Sequence, residues 1–172
     1  MVRLMGCILV IIGCTSIGFA RAECMRRRLE EMHKVKRYAL FIKGEIRCDG
    51  RALPDIMIHM TKKADGIWKN FFKSVGEKIT DNACGILGDI WKDETRHSLK
   101  GSYLKEAEKK EWIFLGENLG YLDIETQLQL LDIFDEHMKE SIKQEKEKTR
   151  NQSKLSRVLG ILCGIFIVIL LS

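Results

Sequence analysis

Two uncharged apolar runs, Leu4 to Ala20 and Val158 to Ser172, lie near the two ends of the chain, and each abuts a basic stretch on its inner side. As helices, the 17- and 15-residue runs reach roughly 25 Å and 22 Å, against a hydrocarbon core of about 30 Å. Both make short spans that Arg3, Arg21 and Arg157 extend by snorkelling. Burial of either run in a protein core is the competing account, and a terminal position argues against it. Boundaries follow: membrane helices over 4–20 and 158–171, and a head over 21–157 of a size that suits one domain.

The location of charge orients the spans. Formal net charge is +5, yet residues 21–37 and 139–157 each carry seven Arg or Lys against three Glu, which leaves residues 38–138 at −4. The basic excess is therefore two collars and not a nucleic-acid surface, and only Tyr38 supplies an aromatic close to Arg26, Arg27, Arg28, Lys34, Lys36 and Arg37. Such collars are attracted to anionic lipid. They also place the head in the cytoplasm and both termini outside. A signal peptide ending at Ala22 is the alternative, because Ala20, Arg21 and Ala22 make an A-x-A pattern; it would release an exported helical binding protein. The basic cluster after the run disfavours translocation. Cys24, Cys48 and Cys84 of the head lack paired spacing, as expected in a reducing cytosol.

Apolar spacing predicts helices throughout the head and no sheet. Leu29, Met32, Val35, Ala39, Ile42 and Ile46 recur every three or four residues, so the first helix continues to about Cys48. Pro54 suits the first turn of a second helix ending near Lys63. Trp68, Phe71, Phe72 and Val75 mark a third, and Asp81 is the expected cap of a fourth bearing Leu87, Ile90 and Trp91. A fifth segment opens at Gly101 and Ser102, passes Leu104, Trp112 and Leu115, and is expected to end at Gly116 and Gly120, the latter in a tight turn of positive φ. Asp123 then caps a last helix with Leu128, Leu131, Phe134 and Met138 on one face, continued by a charged, solvated stalk from Lys139 to Arg157. The fold class is an all-α bundle between two membrane helices.

Chemistry-bearing motifs are few. No P-loop, G-x-G-x-x-G, H-E-x-x-H or G-x-S-x-G occurs, which speaks against enzymes of those classes. His33, His59, His97 and His137 have no His or Cys one helical turn away, so neither a metal nor a cofactor is expected. Asp132, Asp135 and Glu136 place carboxylates on adjacent turns, and they are the candidate partner-binding residues, expected to crowd an exposed acidic face. Gly160 and Gly164, and Cys14 and Gly18, form small-x-x-x-small pairs that favour packing of membrane helices, between the spans or between copies of the chain.

Leu115-Gly116-Glu117-Asn118-Leu119-Gly120-Tyr121-Leu122-Asp123, followed by Gln127, resembles the F-G-x-x-L-G-x-x-D-x-x-x-Q segment of the stage III sporulation protein AB family of endospore-forming bacteria. Gly6, Gly18 and Phe19, then Glu45 and Ile46, Leu53 and Pro54, and Leu87 to Trp91 agree with it in order. Cys48 stands where that family usually has an aromatic, and Ala52 replaces the Pro of its T-P-L turn. The resemblance implies a cytoplasmic domain similar to those of the type II secretion platform protein, in the mother-cell membrane facing the forespore. It also implies partners: the other proteins of the stage III sporulation channel complex, among them a secretion-type ATPase for which the head would be a non-enzymatic dock.

Overall fold

A computed structural model describes residues 20–47, 52–81, 87–120 and 123–150 with their side chains, and gives helical backbone for 2–19, 48–49 and 151–171. Six helices follow one another, α1 (Val2–Asp49), α2 (Leu53–Lys63), α3 (Gly66–Asp81), α4 (Leu87–Ser98), α5 (Glu106–Leu119) and α6 (Ile124–Leu171). Among the described residues there is no strand, and the expected all-α class is observed. The chain divides into a terminal unit, Met1–Leu29 with Ile142–Ser172, and a head unit, Glu30–Ser141.

Within the head unit the expected stripe of α1 is buried from Met32 through Val35, Ala39 and Ile42 to Ile46. The turn into α2 forms with Ala52 in the place of a proline. Ala52 has φ −63°, the angle a proline ring would impose, and its carbonyl accepts the backbone N–H groups of Asp55 and Ile56 at 3.0 and 3.2 Å. From α2 the chain turns at Ala64 and Asp65 into Gly66, whose φ of +54° requires glycine. Helix α3 then buries Trp68, Phe71, Phe72 and Val75.

These rings form the centre of the core. Phe71 meets Trp91 edge-on at 5.1 Å, Trp68 meets Trp112 edge-on at 5.6 Å, and Tyr38 of α1 closes on Trp68 and Phe72 at 5.4 and 5.3 Å. Edge-to-face and tilted pairs at these separations add to the burial of area alone. Asp81 does not cap α4: it is the last residue of α3, and α4 starts at Leu87. The join between α3 and α4 is instead braced by Lys78, 2.5 Å from buried Glu94, which also accepts a hydrogen bond from Ser98 Oγ at 3.1 Å. The 99–105 loop is held to α1 by Glu31, whose carboxylate accepts the Tyr103 N–H at 2.7 Å.

In the terminal unit, the stalk is not solvated all round. Ile142 and Glu145 are buried, and Glu145 makes an ion pair of 2.5 Å with buried Arg28 of α1. Arg26 and Arg27 remain largely exposed and share Glu23, whose carboxyl these two guanidinium groups hold down at about 2. The collar thus includes exposed cations, Arg26 and Arg27, and one, Arg28, turned inward. Among the described residues no helix is long and apolar enough to cross a membrane. Residues 4–19 and 158–171 of the two apolar runs belong to the helical backbone of α1 and α6, outside those residues.

Candidate functional site

Of the three candidate carboxylates of α6, Asp132 and Glu136 are exposed as expected and Asp135 is buried. Asp135 is 6% exposed, with Lys139 Nζ 2.6 Å from one oxygen and Lys36 of α1 3.7 Å from the other. Asp132, itself exposed, pairs with Lys43 of α1, and Glu136 lies 3.9 Å from Lys139. Three carboxylates therefore face three lysines, and the local charge is balanced. The reason lies in the helix period. Asp135 follows Leu131 by four residues and precedes Met138 by three, so it lies on the buried stripe and its charge needs a partner.

Beside that stripe, α5 and α6 line an open groove of about 290 Å³ whose wall includes Glu111, Phe114, Leu130, Ile133 and His137. Phe114 and Ile133 are 58% and 56% exposed. Both are large apolar side chains outside the core-facing positions of their helices. Glu111 contributes a buried Oε2 that has no hydrogen-bond partner. Burial pushes its carboxyl above the ordinary glutamate range, and Glu108 pushes the same way while His137 opposes them. Neither Phe114 nor Ile133 was among the expected site residues; the signal in the sequence is an apolar residue one position before, or two after, the core positions Leu115 and Leu131.

The histidines stay apart, His33 and His97 exposed and His59 3.4 Å from Glu45, and among the described residues no group of three His, Cys, Asp or Glu is placed to hold a metal. Gly160, Gly164, Cys14 and Gly18 fall on the helical backbone of α6 and α1, outside the described side chains. Cys24 is exposed and free.

Gly116, Gly120, Asp123 and Gln127 each have a definite place. Trp91 of α4 lies flat over Gly116, where a Cβ would come within 2.1 Å of its ring. Its indole Nε1 donates to the Trp112 carbonyl at 2.9 Å. Gly88 faces Glu117 of α5, and a Cβ there would lie 3.0 Å from the Glu117 Cα. Gly116 is thus inside α5 and does not end it. Gly120 does end it, but in the right-handed region at φ −84°. Its requirement for a small residue comes from Leu87, 3.1 Å from where a Cβ would stand. As expected, Asp123 caps α6, accepting the Thr126 N–H at 3.1 Å and the Thr126 hydroxyl at 2.7 Å. Gln127 Nε2 reaches back to the carbonyl of Leu119 at 2.6 Å and satisfies one of the orphan acceptors of the last turn of α5.

Gly116, Gly120, Asp123 and Gln127 therefore each have a packing or capping duty at the junction of α4, α5 and α6. The family described as stage III sporulation protein AB (spore_III_AB) matches this chain over residues 3–172. The chain belongs to that family. Stage III sporulation protein AB of Bacillus subtilis (strain 168) is 19% identical over 171 residues, covering 99% of each chain. No solved structure matches significantly.

Proposed function

We propose that this protein is a non-enzymatic scaffold in the membrane of the sporulating cell, anchored by both ends, whose helical head recruits other proteins of the stage III sporulation channel complex, a secretion-type ATPase among them. The observation that carries this reading is the pairing of an apolar helical run with a basic collar at each end, both collars on the head side. Family membership supports a role in sporulation. Continuity of α1 through Ala20, Arg21 and Ala22 favours an uncut anchor over an exported form.

Reporter fusions test the topology. A cytoplasm-active reporter is expected to be silent at Ser172 and active when inserted in the 99–105 loop. Activity at both positions would leave one anchor at most and defeat the double tether. For recruitment, the full-length protein in nanodiscs is expected to bind the ATPase and to release no phosphate from ATP by itself.

A further inference from the structure

The α5/α6 groove has a chemistry that restricts what can fill it. On α6, Leu130, Ile133 and His137 lie three and four residues apart on one line, and on α5 Glu111 and Phe114 are three apart, so each helix supplies one wall. A volume of about 290 Å³ falls just below the smallest pockets that enclose a drug-sized molecule and suits a pair of side chains. An acyl chain would satisfy the apolar walls but leave the Glu111 oxygen without a donor, at a cost of about 1–3 kcal/mol for a neutral group and more for a charged one.

We propose that this groove receives one helix of a partner protein, which seats two apolar side chains one turn apart between Phe114, Leu130 and Ile133 and sets a Lys or Arg against Glu111. The unpartnered carboxylate oxygen commits the occupant to a basic residue, and the two half-exposed side chains at the rim commit it to an apolar ridge. A basic residue here gains a charge-assisted hydrogen bond in a partly dehydrated setting, where such bonds are strongest. This deepens the reading of the head as a recruiting platform and rests on it.

The test uses full-length protein in nanodiscs and three fluorescent Ala/Gln helices of about 18 residues, long enough to be helical. Each carries two Leu one turn apart, followed one turn later by Lys, norleucine or Glu. Anisotropy titration is expected to show the Lys peptide binding about tenfold more tightly than the norleucine peptide, with the Glu peptide weakest. Ile133→Ser should weaken all three, and Glu111→Gln should erase the preference for Lys while leaving the norleucine peptide unchanged. Equal affinities, indifference to Ile133→Ser, or no binding by any peptide would each overturn the proposal. So would a dimer of the protein that Ile133→Ser breaks, because a second copy would then be the occupant. Purified components alone decide this result, so its failure leaves the double tether and the ATPase contact standing on their own tests.

Discussion

The seam between α4 and α5 and the seam between α1 and α6 bring helices together by opposite means. At the first, Gly88, Gly116 and Gly120 remove side chains so that Glu117, Trp91 and Leu87, respectively, can approach. At the second, lysines and an arginine meet Asp132 and Asp135 in the head and Glu145 in the terminal unit. Steric closure has no slack, since interiors are packed as densely as organic crystals. Ion pairs between long side chains adjust, and their strength depends on exposure to water. Gly116 and Gly120, both in the segment read from the sequence, fall on the seam without slack.

That contrast can be broken by mutation. Gly116→Val is expected to have the largest effect, about 3 kcal/mol or more of lost stability in a urea titration of the nanodisc-held protein, because the backbone of α5 would have to move off the Trp91 ring. Trp91→Leu in the same chain should recover part of the loss, and strict additivity of the two changes would show that the contact is not the cause. Next comes the buried pair. Arg28→Met alone or Glu145→Met alone should cost about 3 kcal/mol, whereas both together should return to within about 1 kcal/mol of wild type. A double variant as unstable as either single one would mean that the pair is required for more than mutual neutralisation.

Gln127→Ala should cost about 1 kcal/mol by leaving the Leu119 carbonyl unsatisfied. Lys43→Ala should cost less than about 0.5 kcal/mol, since its partner Asp132 is largely exposed and water screens the pair. The smallest effect concerns pH. Glu111 holds its proton more tightly folded than unfolded, so its contribution to stability declines as pH rises from the ordinary glutamate value of 4.5 through the raised one. Glu111→Gln should remove that decline, and an unchanged slope in melts across this window would show that the groove carboxyl is fully hydrated.

Helix periodicity made most of the head legible in advance, and the Asp123 cap with it, because both depend on neighbours in sequence. Where the reading went astray, the deciding partner was distant. Gly120 was expected to adopt a positive φ, yet its constraint comes from Leu87 across the seam. Arg28 and Glu145, assigned from local composition to a lipid collar and a solvated stalk, find each other across the length of the chain. Asp135 was recoverable in principle: it occupies a stripe position, and only its charge suggested otherwise. Phe114 and Ile133 escaped for the converse reason, as apolar residues off the stripe are common and only the folded chain shows that two of them share one groove.

All three tryptophans of the chain, Trp68, Trp91 and Trp112, lie at 1% exposure or less, with Trp112 5.0 Å from Trp91 and 5.6 Å from Trp68. Their transition dipoles are therefore close enough to couple, and the indole emission of the intact protein comes wholly from the head core. Fluorescence then follows the opening of that core without contribution from the terminal unit, while far-ultraviolet dichroism sums every helix, α1 and α6 included. If the two signals melt together, the long terminal helices and the core open in a single step; if ellipticity persists after the indole band has shifted to the red, the ends keep their helical winding after the centre has come apart.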